Sequence, residues 1–304
     1  MRIVLIGQSA FGAETLKALL ASGHDVLAVY TSTLAEMAAP VEDIARVKCL
    51  PLFQFQDMRS REVVESMTRL EPELGVMAFV TSTIPKGILS CPALGTIQYH
   101  PSLLPRHRGA NAINWAIIKG ETETGLTIFW PDEGMDTGPI LLQKRVVISS
   151  EDTVGSLYFN RLFPLGIQSL VEAVDLIATG KASREQQDGT LASYEPPCNE
   201  SHALINWEAP VSEVYNLIRG TNPQPGATTF WRQNKVKFYD SEKLESTVEG
   251  APGEVIEIND RGIVIAARGG AILVKRLRLI DGPKISSKDC VKESGFSCGE
   301  RFVP

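Results

Sequence analysis

The alternation of strand-like and helix-like runs over residues 2–100 constrains this chain more than any other feature. "RIVLI" (2–6) is a β-branched apolar run that stops at Gly7. "AETLKALLASGH" (13–24) follows with apolar residues at helical spacing and closes at Gly23, and "DVLAVYT" (25–31) reads as a second strand. "ELGVMAFV" (73–80), ending near "TSTIP", and "GTIQYH" (95–100) read as two more. Strands alternating with helices build βαβ units, which predict a Rossmann-like parallel sheet with helices on both faces. Ligands bind such sheets beyond the carboxyl ends of the strands. His100 sits at one such end.

The remainder divides the chain. Residues 110–119 read as a helix with Trp115 and Ile118 on its apolar stripe, and 124–148 as strand, loop, strand. "LFPLGIQSLVEAVDLIATGK" (162–181) is a strong amphipathic helix, followed by a polar stretch with the composition of a linker. After a short helical piece, "VSEVYNLIRG" (211–220), the chain turns β-rich, with "KVKFYD", "GEVIEI", "GIVIAA" and "AILVKRLRLI" separated by glycine turns. Short strands of this kind predict a small barrel or sandwich. A length of 304 residues suits two domains. The expected divisions are an α/β domain over 1–182, a linker over 183–204, and a small OB-like β-barrel over 205–304.

Several function classes fall away. The apolar run at the start is too short for a signal sequence or a membrane span. Five cysteines, an odd number with no CxxC pair, argue against a disulfide framework or zinc ribbon and for a reduced cytoplasm. A formal net charge of −6 gives no overall attraction to nucleic acid. "GQSAFG" (7–12) occupies the place of a dinucleotide-binding GxGxxG, but Ser9 replaces the middle glycine and "AVYTST" offers no acidic residue. A tight strand–helix turn is the better reading.

Chemistry concentrates in two loops. In "GTIQYHPSLLPRHRG" (95–109), Pro101 and Pro105 restrict the backbone beside His100. Gln98 shares the strand face of His100 by period-two alternation, where an amide suits a developing oxyanion. "PDEGMDTGP" (131–139) places Asp132, Glu133 and Asp136 among glycines. It reads either as a solvated acidic turn or, if folded over the same sheet edge, as a source of a carboxylate that orients the imidazole. Amide, imidazole and carboxylate together suit acyl transfer without metal or protein nucleophile. A metal site from His100, His107 and an aspartate matches no zinc spacing, and no GxSxG surrounds Ser102. Arg106, His107 and Arg108 read equally as a solvated turn or as a receiver for an anionic group.

In these two loops the chain resembles the 10-formyltetrahydrofolate-using formyltransferase family. "HPSLLPRHRGANAINWAI" paired with "DEGMDTGPIL" carries the resemblance. "MRIVLIGQSAFG", "IPKGIL" and "LINWEAPVSEVYNLIRG" extend it along most of the chain. In detail it is most similar to the amino-terminal hydrolase domain of 10-formyltetrahydrofolate dehydrogenase, and it is related to methionyl-tRNA and sugar-nucleotide formyltransferases. The resemblance implies an enzyme of one-carbon metabolism with a catalytic domain, a C-terminal barrel, 10-formyltetrahydrofolate as donor, tetrahydrofolate as product and no metal. It implies His100 and Asp136 as catalytic residues, with Gln98 beside them. It implies a pterin pocket walled by Ile84, Pro85, Glu133, Gly134, Met135, Thr137 and Gly138, with Ser102, Leu103 and Leu104 bordering the formyl region. Arg106, Arg108 and Asn111 are expected to face the acceptor.

One position departs from the family. Most of its transferases carry asparagine two residues before the histidine, the hydrolase domains an apolar residue, and this chain Gln98. Three readings follow: formyl transfer to an amine, hydrolysis to formate and tetrahydrofolate, or folate binding with blunted chemistry. Transfer to a small amine is favoured because Gln98 restores an amide. Transfer RNA is disfavoured as acceptor, because the region after the second strand (31–49) has only Arg46 and Lys48 as bases. With no dehydrogenase domain in the sequence, the full oxidative reaction is not expected.

Overall fold

β1 (Arg2–Gly7) is buried from Ile3 onward, which explains its unbroken apolar run, since a central strand covered on both faces has no polar side to alternate with. After it come α1 (Ser9–Ala21), β2 (Asp25–Ser32), α2 (Ala35–Val47), β3 (Leu52–Phe55), α3 (Arg61–Leu70), β4 (Leu74–Ala78), α4 (Lys86–Leu89) and β5 (Thr96–His100). The computed structural model describes residues 1–80, 84–245, 249–279 and 282–304. The "TSTIP" residues 81–83 and Ile280, the expected end of the last long strand, lie outside them.

These strands join β6 (Glu123–Phe129) and β7 (Ile140–Val147) in a seven-stranded sheet of order β3-β2-β1-β4-β5-β6-β7. The sheet is parallel from β3 to β5. It then reverses, because β6 runs antiparallel to β5 and pairs His100 with Thr127. The helix between them, Ala112–Ile118, keeps the strand–helix alternation of the sequence, so alternation alone does not reveal that this one strand is reversed. Strand order turns at the β1–β4 junction, the position where such sheets open a ligand crevice.

The glycine loop is a packing device. A Cβ on Gly12 would stand 3.0 Å from the Gly7 carbonyl carbon and 3.2 Å from a Val41 methyl. Ser9 takes a left-handed φ of 58° in the turn between them. The tight strand–helix turn expected from the sequence is therefore present. Tyr30, Met67, Met77 and Ile88 belong to the core on one side of the sheet. α7 (Phe163–Ala178) packs against α1, and Gly166 lets the Phe11 and Tyr99 rings approach the helix backbone.

The chain forms two compact units: Met1–Gly109, Gly125–Val146 and Asn160–Tyr194 make the first, and Ala110–Thr124, Val147–Phe159 and Glu195–Pro304 the second. The second holds α5 (Ala112–Ile118), α6 (Val154–Leu157), α8 (Val211–Gly220), β8 (Ala227–Trp231), β9 (Asn234–Phe238), β10 (Ser241–Leu244), β11 (Val255–Asn259), β12 (Gly262–Ala267), β13 (Gly270–Val274), β14 (Arg276–Leu279), β15 (Ile285–Ser286) and α9 (Ser287–Ser294). Its strands form two four-stranded sheets, β10-β13-β12-β11 and β15-β14-β9-β8, with antiparallel pairing throughout. Trp207, Phe238, Ile265, Leu277 and Phe302 belong to one shared core. "AILVKRLRLI", expected as one strand, is two: Gly270–Val274 in one sheet and Arg276–Leu279 in the other, divided at Lys275. Among the described residues no helix is long and apolar enough to cross a membrane.

Candidate active site

β5 delivers Gln98 and His100 to the sheet edge on one face. His100 is only 5% exposed. Its Nε2 lies 2.8 Å from the His107 carbonyl oxygen. A carbonyl only accepts, so this nitrogen carries the proton of the neutral ring. Nδ1 then presents its lone pair to Asp136, whose Oδ2 is 3.5 Å away. That approach is longer than a good hydrogen bond. The Gln98 side chain is half-buried and has no hydrogen-bond partner among the described residues.

The two loops are built to bring these atoms together. Asp136 adopts a left-handed φ of 54°, and its Oδ2 accepts a 2.8 Å bond from the Gly109 amide. Asp132 ties the turn from within, accepting from the Gly134 amide at 3.0 Å and the Thr137 hydroxyl at 2.5 Å. Gly138 permits the closure: a Cβ there would fall 1.8 Å from the Trp130 carbonyl oxygen. The acidic loop therefore folds over the His100 edge. Glu133 also reaches back to Lys86 at 3.3 Å, which joins the Ile84–Pro85 segment to the loop on its far side. Met135 at the loop tip is exposed.

The other expected site residues have these places. Ser102 is fully buried, and its hydroxyl donates to the Arg106 carbonyl at 2.6 Å while its own carbonyl accepts from Thr127. It braces the turn. Leu104 is buried, with its amide on the Thr127 hydroxyl and its carbonyl on Gln143. The Leu103 side chain packs against Gly125, where a Cβ would collide with it. Arg106 is exposed, whereas Arg108 is buried and its guanidinium donates to Gln187 and Tyr194. Asn111 belongs to the second unit, where its Oδ1 accepts from the Cys198 amide.

The sequence reading missed the segment 185–194. Gln187 Nε2 donates to the Asp136 carbonyl at 2.9 Å and the Gly138 carbonyl at 2.7 Å, while its Oε1 accepts from Arg108. Ser193 accepts from the His107 amide at 2.8 Å through its hydroxyl, and its own amide donates to the Pro105 carbonyl. One stretch of chain thus holds both the loop that fixes the His100 tautomer and the loop that carries Asp136. Its polar composition gave no signal of this, because its partners are main-chain groups distant in sequence. Among the described residues there is no group of three His, Cys, Asp or Glu side chains able to hold a metal ion.

Comparison with known proteins gives the family and the fold. Residues 1–174 match the Formyl transferase family, and residues 198–295 match Formyl transferase, C-terminal domain. The chain is 40% identical to the mitochondrial 10-formyltetrahydrofolate dehydrogenase of Mus musculus over 100% of its own length and 34% of that protein. The chain thus spans about a third of the length of the dehydrogenases it matches. It is 35% identical to the methionyl-tRNA formyltransferase of Syntrophus aciditrophicus (strain SB), covering 98% of this chain and 97% of the relative. Among solved structures, HypX from Aquifex aeolicus in complex with tetrahydrofolic acid superposes with a TM-score of 0.71 at 22% identity, over 96% of this chain and 47% of HypX. That last similarity concerns the fold alone.

Proposed function

The chain belongs to the formyl transferase family, and from that premise we propose that it moves the formyl group of 10-formyltetrahydrofolate to a small amine. The observation that carries this reading is the opposition of His100 Nδ1 and Asp136 Oδ2 at 3.5 Å, beside an amide, Gln98, on the same strand face. The acceptor amine attacks the formyl carbon, and the Gln98 amide donates to the oxyanion that develops. His100 takes the proton of the attacking amine on Nδ1, and Asp136 stabilises the resulting imidazolium. Collapse breaks the bond to N10, which takes the proton held by His100, so formylated amine and tetrahydrofolate leave and the imidazole is neutral again. The pterin is assigned to the pocket of Ile84, Pro85 and residues 133–138.

We assign the donor chemistry to residues 1–182 and the barrel, 205–304, to the C-terminal domain, with 183–204 between them. A small amine is preferred to methionyl-tRNA because bases are few after β2, and Arg46 there is already paired with Glu42. A reducing compartment such as the cytoplasm suits the five free cysteines.

Hydrolysis is the second reading, favoured by the 40% identity to a 10-formyltetrahydrofolate dehydrogenase over the whole chain. The deciding experiment follows tetrahydrofolate release from 10-formyltetrahydrofolate with and without a panel of amines. Amine-dependent release supports transfer, and release without amine makes the chain a hydrolase. Binding without release in any condition refutes both.

A further inference from the structure

A cavity of about 310 Å³ opens at the carboxyl ends of β1, β2 and β3. Tyr30, Leu34, Met37, Phe55 and Met58 supply its apolar wall, Ile6, Val80 and Ile84 the side toward β4, and the uncharged polar residues Gln8, Thr31, Ser32, Thr33 and Gln56 line the rest. Its volume is at the small end of ligand sites and fits a side group rather than a whole cofactor. Register places it in the molecule: Ile6 pairs with Met77, and Met77 with Gln98. Ile6 is therefore two strand spacings, ~10 Å, from the proposed oxyanion amide. Ile84 also belongs to the segment assigned to the pterin, so the cavity adjoins the donor site without including the catalytic pair.

Two features describe what the cavity would hold. No Asp, Glu, Lys, Arg or His is among its lining residues, and burial pushes the Tyr30 phenol up from its ordinary value, which keeps it neutral. A phosphate or carboxylate would be desolvated there without a counter-charge, at considerable cost. Thr31 supplies the second feature. It is only 4% exposed, and its hydroxyl oxygen is buried with no hydrogen-bond partner among the described residues. A buried hydroxyl left alone is costly, and a ligand group that meets it as the cavity wall yields recovers much of that cost.

We infer that this cavity is the acceptor-specificity pocket: it takes the uncharged apolar or aromatic body of the amine, with one hydrogen-bonding atom of that body meeting Thr31. This rests on the proposed formyl transfer and narrows its acceptor class. Amines whose bodies are phosphorylated or carboxylated are excluded from the pocket. The test uses phenylalaninamide and 2-phenylethylamine against β-alanine and 2-aminoethyl phosphate, with wild type, Thr31→Val and Leu34→Trp. Leu34 is 64% exposed at the rim, so a tryptophan there fills the cavity without disturbing the core.

The expected result is turnover with the two apolar amines at KM values at least tenfold below the charged ones. Thr31→Val should raise the phenylalaninamide KM about three- to tenfold, the size of one net hydrogen bond. Leu34→Trp should raise it more than tenfold while the KM for 10-formyltetrahydrofolate stays within about twofold. A calorimetric titration of phenylalaninamide into protein saturated with 5-formyltetrahydrofolate reads the pocket without turnover. Binding that Leu34→Trp abolishes, in a protein that transfers nothing, would keep the pocket and refute the transfer. Turnover that prefers the charged amines, or is indifferent to both variants, would keep the transfer and overturn the pocket. A Leu34→Trp effect on the folate KM alone would assign the cavity to the donor and overturn it equally.

Discussion

Gln187→Ala should cripple turnover although Gln187 meets the loop assigned to the pterin only through two main-chain carbonyls. Its amide nitrogen holds the Asp136 and Gly138 carbonyls, and its oxygen accepts two bonds from Arg108, at 3.1 and 2.7 Å. Two neutral bonds of about 1 kcal/mol and two charge-assisted ones of about 1.5–3 kcal/mol set the upper bound. Arg108 keeps its bond to Tyr194, and water reaches a half-buried glutamine, so the net destabilisation should be about 2–4 kcal/mol. The rate should suffer separately. Releasing the two carbonyls lets Asp136 drift from His100, and a misplacement of ~1 Å costs up to ~100-fold in kcat. Gln187→Glu separates the two effects, since it keeps an acceptor for Arg108 but turns a carboxylate toward two carbonyls. Tyr194→Phe is the control that loosens Arg108 and leaves the acidic loop alone. Tetrahydrofolate release should be measured per folded molecule, well below each variant's Tm. Both Gln187 variants should lose roughly 10- to 100-fold in kcat, and Tyr194→Phe should lose stability without a comparable loss of rate. Wild-type kcat in folded Gln187→Glu would refute the reasoning, and so would an equal loss in Tyr194→Phe.

Three further outcomes follow from the same geometry. His100→Ala and Asp136→Ala should each remove at least ~1000-fold of turnover with circular dichroism unchanged, and near-normal rates in either would sink the site assignment. Gly138→Ala should raise the donor KM at least ~10-fold and lower Tm, because its Cβ would fall 1.8 Å from the Trp130 carbonyl oxygen; an unchanged KM would mean that the loop does not wall the pterin. In the second unit, hydrogen bonds from Lys237 and Lys235 hold the Glu200 carboxyl down to about 2 from an ordinary 4.5. The folded value is depressed, so the pair stabilises above pH 4.5, and that contribution is lost as pH falls toward 2. Glu200→Gln should therefore be less stable than wild type at pH 6 and equal to it near pH 2 in a denaturant titration, the gap being small because the carboxylate is exposed.

What the sequence displayed and what it hid divide along a physical line. Burial shows in periodicity, so the continuous apolar run of β1 and the amphipathic α7 were legible, as was the alternation that sets Gln98 and His100 on one face. Backbone constraint shows in composition, and the glycines and prolines around Asp136 marked a loop with special geometry before its closure over His100 was visible. Side-chain bonds to distant carbonyls leave neither trace. Residues 183–204 look like a linker because polar residues without a period look alike whether water or main chain receives their hydrogen bonds. Arg108 shows the same blindness from the other side: a basic residue near a catalytic histidine suggests an anionic partner, and only the fold reveals Gln187 and Tyr194 as its acceptors. Cavities are hidden more deeply still, since an empty volume is a property of several strands at once. Thr31 reads in sequence as an ordinary β-branched strand residue, and its hydroxyl, without a partner among the described residues, becomes a signal only when β1, β2 and β3 end together around it. The proposed catalytic pair was thus legible as a motif, whereas the parts proposed to tune it and to choose its acceptor are properties of the assembled sheet edge.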